Sequence, residues 1–585
     1  MNDKVAVANA LKDLGLYLQI KGENSFKTRA YDIASERIAG LADDLGQLVT
    51  EKRLTELEGV GASIAAKITE LVETGKMETL EQLKREYPPG ILELLKVPNL
   101  GPKKAKVLFE LLGVGTIDEL EAACRANRVR DIKGFGQQTE EKLLAGIDVA
   151  RRTKGTGRQL LADVLPRAEK LLEHVKKAPG VVRASLGGSV RRMRETVADV
   201  DIIASAEDPK PVFEAFTKHP DVREVLGQGD SKASVRLREG DLQVDLRVLP
   251  DADYATALHH FTGSKSHHIK LRGLAIEKGL KLSEWGVHRV DRSDAELREL
   301  EKLTVEDEAE LYAMLGLDYV PPELREDWGE IEAAQKHELP KRLVERQDIV
   351  GNIHSHTTWS DGRASLLEMA QAAKAMGLRY YTVTEHSQTS SYAGGLSLDR
   401  MKEQWDEIDR VNEELDGIVL LKGIESDILE DGSLDYPDSV LEQLDVVIGS
   451  IHQRYSQNED AMTRRVLNAF DNPHFQIWGH PTGRLLNRRE PAPMRMEEIL
   501  DKAAKKGVAI EINGCPERLD LKAEYVRLAL QRGLKLVVST DAHSVSELHQ
   551  HLPLALAMAR KGWTTKADVL NTLEAKAFVG ALRGG

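Results

Sequence analysis

The stretch from Leu186 to Asp201 constrains this chain more than any other. It holds Gly187-Gly188-Ser189, then Arg191, Arg192 and Arg194, then Asp199 and Asp201 with one residue between them. Apolar residues on either side (Val181, Val182 and Leu186, then Val200, Ile202 and Ile203) predict strands, so Asp199 and Asp201 point from the same sheet face. Two carboxylates that close repel each other unless a cation sits between them, and oxygen-only donors suit Mg²⁺. The glycine turn at Gly188 can present backbone N–H groups to a phosphate, Ser189 adds a hydroxyl, and Arg192 a charged fork. A third acid, Asp245, comes on the later strand 242–249 and faces the same side if the chain turns at Glu239-Gly240-Asp241. Three acids and a phosphate cradle suit nucleotidyl transfer with two metal ions. The alternative is a surface turn with solvated charges.

A chain of 585 residues exceeds what one core supports, so roughly three to four domains are expected. Two cysteines, Cys124 and Cys515, cannot form a disulfide framework, which predicts a reducing compartment. The start, Met1-Asn2-Asp3-Lys4, lacks a signal-peptide layout, and no apolar run approaches membrane-spanning length, so the expectation is a cytoplasmic protein without a membrane partner. The net charge of −14 does not exclude nucleic acid, because phosphate contacts need only local basic surface.

Residues up to about Tyr87 predict short helices, with basic residues between apolar ones near Phe26–Tyr31. Three helix–hairpin–helix signatures follow, at Leu57–Ile68 with Gly59-x-Gly61, at Val97–Ala105 with Gly101-Pro102-Lys103-Lys104, and at Ile132–Thr139 with Gly134-x-Gly136. Each tight turn exposes backbone N–H groups at a helix start, where a DNA phosphate can sit without base readout.

Gly187-Gly188-Ser189 with Arg191-Arg192 and Asp199-Val200-Asp201 resembles the palm motif of family X DNA polymerases. The resemblance implies that the first hairpin region is similar to that family's lyase domain. Lys67 then falls on the Schiff-base lysine, and Lys27 and Tyr31 on positions lining a 5′-phosphate pocket; Ser63 stands where repair enzymes carry another lysine. A solvated helix lysine is the alternative reading of Lys67. The segment 259–272 resembles the one that holds the nucleotide's sugar and base, with Phe261, Gly263 and Ser264 in its motif and Arg272 at the position reaching the template strand. Two departures stand out: His260 replaces a tyrosine beside the sugar, and His268 an asparagine that donates to the incoming base. Plain surface histidines are the alternative.

A charged, proline-bearing stretch, 321–345, lacks a sustained apolar period and predicts a linker. From Asp348 the pattern becomes short apolar strands, most ending in a histidine or an acid, with helical segments between them. This predicts a parallel sheet, and the repeated units suggest a barrel with its site at the C-terminal strand ends. His354, His356, Asp361, His386, Glu425, His452, His480, Asp541 and His543 recur at that edge. Such a mixed set can hold two or three ions, with Zn²⁺, Mn²⁺ or Fe²⁺ favoured over Mg²⁺, and suits phosphoester hydrolysis. Asn513 and Arg518 are candidate supporting or substrate groups.

This ligand pattern resembles the PHP (polymerase and histidinol phosphatase) domain, which implies a distorted seven-stranded (β/α) barrel with a trinuclear site. The whole order is similar to that of bacterial family X polymerases (PolX), which implies a Mn²⁺-dependent 3′–5′ exonuclease that also cleaves abasic or 3′-blocked ends. The expected organisation is multidomain. It comprises a helical lyase-like region (1–88), a helix–hairpin–helix subdomain (89–155), an α+β nucleotidyltransferase palm (156–250), a nucleotide-selection subdomain (251–320), a linker (321–345) and a PHP barrel (346–585). The expected function is a monomeric repair polymerase that fills gapped or nicked duplex DNA with dNTPs, using two Mg²⁺ in the palm and up to three Mn²⁺ or Zn²⁺ in the barrel. The alternatives are a DNA-end nuclease with weakened synthesis, a small-molecule phosphatase fused to a DNA-binding scaffold, and a non-enzymatic end-binding module.

Overall fold

Apolar residues at helical spacing dominate the first 150 residues, and in the computed structural model they close on one another as nine α-helices among the described residues between Lys4 and Arg152. Residues 4–583 are described, apart from 40, 42–44, 58, 89, 98–99, 153–156 and 292–297. Pro98 and Asn99 of the second hairpin, Glu58 of the first, and the expected domain boundary at 155/156 therefore lie outside the described residues. One core runs from Val7, Leu11 and Leu14 through Ile68, Leu83 and Leu108 to Leu143 and Ile147. The division expected at 88/89 is thus no break in the packing. The chain separates into two units, Met1–Leu339 and Pro340–Gly585. Among the described residues no helix is long and apolar enough to cross a membrane, and both cysteines are free.

In the first unit a five-stranded sheet follows the helices: β1 (Arg183–Leu186), β2 (Asp199–Ser205), β3 (Val222–Gln228), β4 (Lys232–Leu237) and β5 (Gln243–Leu249). Its order is β1-β2-β5-β4-β3, and only the β2–β5 pair is parallel. Val181 and Val182 precede β1 rather than belonging to it, and Val182 is exposed. Helices Leu161–Lys176 and Pro209–Thr217 bury Val164, Leu171, Phe213 and Phe216. Helices Tyr254–Thr262 and Lys265–Glu277 come next, then a three-stranded antiparallel sheet of β6 (Leu280–Ser283), β7 (Gly286–Asp291) and β8 (Arg298–Leu303).

The stretch expected to be a linker is instead folded into this unit. Leu324, Trp328, Ile331 and Ala334 are buried, helix Glu330–Lys336 is formed, and the unit boundary falls at 339/340. The sequence hid this packing because much of it is made of paired charge. Arg325, fully buried, donates to Glu308 Oε1 at 2.5 Å and to the Val320 carbonyl at 2.9 Å. Buried Glu330 meets buried His267 Nδ1 at 2.5 Å. Buried charges are tolerated when paired in this way, although Arg325 Nη2 is left without a hydrogen bond.

The second unit is a (β/α) barrel. Seven all-parallel strands lie side by side in chain order: β9 (Gly351–Asn352), β10 (Tyr380–Val383), β11 (Val419–Asp427), β12 (Val446–Ser450), β13 (Ile477–Trp478), β14 (Ala509–Asn513) and β15 (Leu536–Ser539). A parallel bridge between Ser355 and Ala542 nearly closes the ring. Each strand is buried along almost its whole length, as a parallel sheet covered by helices requires. Tyr380, Val446, Ala509 and Val537, at or near the strand starts, pack with Phe578 and Leu582 of the last helix. The polar strand ends therefore lie at the opposite mouth.

Candidate functional sites

In the palm, the glycine turn and the acids are locked together. Gly187 N–H donates to the Asp201 carbonyl at 2.7 Å. Gly188 has φ +58°, and a side chain there would press to 2.5 Å from Asp201 Oδ2, so only glycine fits. Ser189 follows in the first turn of the short helix Gly188–Arg191. Asp201 is the direct cross-strand partner of Asp245, and Asp199 lies two residues before it on the same face. Burial, and then the neighbouring charges of Asp199 and Asp245, push the Asp201 carboxyl up to about 6. Burial acts the same way on Asp245, but hydrogen bonds from Lys232, Ser234 and Gln243 win and hold it below the usual carboxylate range. Lys232 Nζ lies 2.6 Å from Asp245 Oδ2. Three oxygen-donor acids with one compensating lysine fit divalent cations. Their arrangement is open, and the His/Asp/Glu groups whose ligand atoms all lie within 4.8 Å of one another are, among the described residues, in the barrel.

The arginines of this motif reach across to the next subdomain. Arg191 donates to Thr262 Oγ1 at 2.7 Å and grips Glu308 at 2.6 and 3.0 Å. Arg192 donates to the Thr262 carbonyl and to Glu326 Oε1, the latter at 3.3 Å. Phe261, in the last turn of its helix, lies under the Arg247 guanidinium at 4.0 Å. Gly263, with φ +68°, links the two helices, and Ser264 caps the second by accepting from His267 N–H. Arg272 is exposed on that helix.

His260 and His268 are not plain surface residues. His268 is 6% exposed, its Nδ1 lies 3.4 Å from His259 Nδ1, and its Nε2 makes no hydrogen bond. Burial, then His260 and Arg272, push its pKa down to about 3, so it is neutral at pH 7. The His260 ring meets it edge-on at 4.6 Å, with Nδ1 3.7 Å from Glu284.

The hairpin glycines sit where helices begin. Gly61 and Gly101 are the capping residues of helices Ala62–Thr74 and Pro102–Leu112, Gly136 opens helix Gly136–Arg152, and Gly59 and Gly134 hold left-handed turns. A side chain at Gly61, Gly101, Gly134 or Gly136 would touch nothing, so these turns are open to an approaching backbone. Lys103 is exposed, and Lys104 Nζ lies 5.7 Å over the Phe135 ring, joining the second hairpin to the third. Lys67 Nζ donates to Thr79 Oγ1 at 2.7 Å. Lys27 pairs with Glu23 at 3.2 Å. Tyr31 is a core residue, 2% exposed, with its hydroxyl bonded to Ser63, so its ring packs rather than lining a pocket.

In the barrel, side chains at or just past the ends of six strands, with Asp361 from the first loop, converge on Glu425 of β11. His480 Nε2 lies 2.8 Å from Glu425 Oε1, and His452 Nε2 and His354 Nε2 lie 3.2 and 3.4 Å from the same oxygen. His386 Nδ1 is 2.9 Å from Glu425 Oε2. Asp541 Oδ1 lies 3.3 Å from His356 Nε2 and 3.7 Å from His354 Nε2, and Asp361 Oδ1 lies 3.4 Å from His543 Nε2 and 3.6 Å from His386 Nε2. All nine expected ligands are thus brought together. Among the described residues, eight of them form three overlapping groups: His356, Asp361, His386 and His543; His354, His356 and Asp541; and His386, Glu425 and His452; His480 stands outside these groups, against Glu425.

The cluster fits metal ions by a direct sign. His354 Nε2, both His356 ring nitrogens, His386 Nδ1 and Glu425 Oε2 are buried without a hydrogen bond, an expensive state that coordination relieves. Two of the expected ligands, His480 at φ +23° and Asp541 at φ +49°, hold left-handed backbone, strain that concentrates at functional sites.

Sequence reasoning passed over the groups that orient these ligands. Glu511 Oε1 accepts from His354 Nδ1 and Ser539 Oγ, each at 2.6 Å, and its Oε2 accepts from His480 N–H. Asp427 Oδ1 meets His452 Nδ1 at 2.8 Å. Each carboxylate fixes a ring so that its other nitrogen faces the cluster. The available signal was position: Asp427 lies two residues beyond Glu425, and Glu511 two before Asn513, each on a face already pointing inward. Asn513 Nδ2 donates to Asp541 Oδ2 at 3.1 Å.

Over 574 residues, 98% of each chain, the sequence is 38% identical to the DNA polymerase/3′-5′ exonuclease PolX of Bacillus subtilis. The chain belongs to the PolX family. Family profiles match along this PolX chain in order: a helix-hairpin-helix domain over 2–77, a SAM-like helix-hairpin-helix tandem over 91–148, a DNA polymerase beta thumb over 257–326 and a PHP domain over 352–514. The barrel alone is 30% identical over 239 residues to probable phosphatases of Thermoanaerobacter sp. and Thermoanaerobacter pseudethanolicus, covering 38% of this chain and 91% of each relative.

Proposed function

We propose that this chain is a DNA polymerase and 3′–5′ exonuclease that fills short gaps at nicked or gapped duplex DNA and trims the 3′ end of the same strand. One observation supports the reading: three carboxylates on neighbouring palm strands and a histidine-rich cluster in the barrel lie in separate units of a single PolX-family chain. Asp199, Asp201 and Asp245 would hold Mg²⁺, and the nine barrel residues Mn²⁺ or Zn²⁺. When bound, such ions neutralise phosphate charge and lower the pKa of water or a hydroxyl.

The chain's own groups supply the rest. In the palm, Ser189, the N–H groups after Gly188, and Arg192 bind the triphosphate, while Phe261, Gly263 and His268 bound the sugar and base, and Arg272 faces the template. The primer 3′ oxygen bonds the α-phosphorus, pyrophosphate leaves, and Asp245 draws off the hydroxyl proton once Lys232 releases it. Arg192 must likewise exchange Glu326 for phosphate. In the barrel, water adds to the terminal phosphodiester, the P–O3′ bond breaks, the proton ends on O3′ and a nucleoside 5′-monophosphate departs. The three hairpins, with Lys103 and Lys104, hold DNA backbone irrespective of sequence. Lys67 is the proposed lyase nucleophile and Lys27 the proposed 5′-phosphate contact, and borohydride trapping on an abasic strand tests the lysine. A cytoplasmic monomer completes the proposal. A small-molecule phosphatase role for the barrel fits poorly with its fusion to DNA-gripping hairpins.

The test is a gapped duplex with one labelled primer, run with Mg²⁺ and with Mn²⁺, following extension and shortening together. Both activities are expected. A primer that neither lengthens nor shortens with either ion, while the enzyme hydrolyses a phosphate monoester, would favour the phosphatase reading.

A further inference from the structure

The nine barrel side chains are not equally enclosed. Seven are fully or almost fully buried, whereas the side chains of Asp361 and His543 are 38% and 28% exposed. The group of His356, Asp361, His386 and His543 is therefore the one that faces the mouth of the cluster. Asp361 differs in a second way: it stands in the loop after β9 and not at a strand end, so its place depends on whatever holds that loop.

A carboxylate outside the ligand set holds it. Glu385, fully buried just past β10, directly precedes His386. Its Oε1 accepts from Thr357 N–H at 3.0 Å and from Thr357 Oγ1 at 2.5 Å, and its Oε2 accepts from Ser360 Oγ. Thr357 directly follows His356 and Ser360 directly precedes Asp361, so one acid clamps both ends of the segment that joins two ligands. Within the segment, Ser360 N–H and Gly362 N–H donate to the Thr357 carbonyl at 3.1 and 2.9 Å. A side chain at Gly362 would press to 2.6 Å from the His356 backbone. Beyond it, Arg363 N–H donates to the His543 carbonyl at 2.7 Å, which ties the loop to the second exposed ligand. Burying a carboxylate against neutral donors is unfavourable. Cations taken up by the neighbouring histidines offset that cost, which couples Glu385 to the loaded cluster.

We propose that Glu385 is a positioning residue for Asp361 and thereby governs one ion of the barrel, the one taken by His356, Asp361, His386 and His543. The ions of the other two groups load without it. The proposal rests on the metal-centre reading above and deepens it: the outer ion is the exchangeable one, and its occupancy follows the loop that Glu385 holds.

The test strips the full-length enzyme with chelator, equilibrates it with increasing free Mn²⁺ and counts bound ions by atomic emission. Hydrolysis of bis(p-nitrophenyl) phosphate is followed at each concentration. At the Mn²⁺ level that just saturates wild type, Glu385→Ala is expected to hold one ion fewer. It should need about 10- to 100-fold more Mn²⁺ for half-maximal hydrolysis, the weight of a group that supports a metal ligand. Excess Mn²⁺ should restore the rate, because the ligands themselves are intact. Glu385→Gln and Ser360→Ala should shift the midpoint in the same direction by less. Asp361→Ala combined with Glu385→Ala should lose no more ions than Asp361→Ala alone, as holds for residues that act through one another. Full ion content with an unchanged midpoint in Glu385→Ala would leave Glu385 as a brace of the fold, and loss of two or more ions would spread its role over the whole cluster; either result overturns the proposal. If Glu385→Ala does not fold, Ser360→Ala decides, since half-buried Ser360 can be truncated without emptying the core, and an unchanged midpoint there overturns the proposal as well. A wild type that hydrolyses the diester but leaves a labelled DNA primer untouched would remove the exonuclease reading, while one ion lost in Glu385→Ala would still uphold the assignment.

Discussion

The palm and the barrel solve the same electrostatic problem, keeping acids together, in opposite ways. The palm acids stand on two neighbouring strands at a half-open sheet face, and Lys232 pairs with one of them at 2.6 Å. The barrel ligands are mostly buried, packed around Glu425, and steadied from behind by Glu511 and Asp427. The contrast is that the barrel cluster is braced from behind by further carboxylates, whereas the palm acids and Arg192 are engaged by Lys232 and Glu326.

The strongest way to break this comparison is to disable each site alone. Asp245→Ala should lower nucleotide insertion by at least about 1000-fold, beyond the loss of a single polar donor, and leave 3′ shortening intact. His354→Ala with Asp541→Ala should do the reverse in the same primer assay. If each folded variant lost both activities, the two sites would not be independent. Next in size is the effect of the supporting carboxylate: Glu511→Gln should weaken metal binding to the barrel by about 10- to 100-fold, read by chelator competition, with insertion in Mg²⁺ unaffected.

Chelation sharpens the same contrast through stability. Removing metal from the full chain should lower the barrel's melting transition by several degrees, roughly 2–4 °C for each kcal/mol of binding lost, and shift that of the first unit less. A smaller, pH-dependent effect belongs to His268. Its folded pKa, about 3, lies below the unfolded value of 6.5. The unfolded chain therefore takes up the proton first, so His268's contribution is intact above pH 6.5 and is lost as pH falls towards 3. His268→Asn should flatten the fall in melting temperature of the first unit between pH 7.5 and 5. The smallest effect is expected from Lys103→Ala and Lys104→Ala, each reducing DNA affinity alike on every sequence and lowering the salt slope by about one.

The seven barrel strands and the clustering of these nine side chains were legible because most of the strands are apolar runs ending in a histidine or an acid. The acids of the palm were legible for a similar local reason, since a spacing of two fixes a shared face. Glu511 and Asp427 were not, because a carboxylate that binds an ion and one that steadies a histidine look the same in sequence. Residues 321–337 misled: their burial depends on Arg325 finding Glu308 and on Glu330 finding His267, and such pairs leave no apolar period. Tyr31 was placed at a phosphate pocket by family resemblance alone, whereas its own ring faces the helical core.

By itself, then, the sequence determined the elements, their order and the chemical character of both sites, since these follow from periodicities of two and 3.6 residues and from donor type. Only the tertiary structure decided which charges are paired, which donors are left over and which histidines are neutral. Those outcomes depend on contacts between residues far apart in the chain, such as His354 with Glu511, 157 positions away, and no local pattern encodes a distance in space.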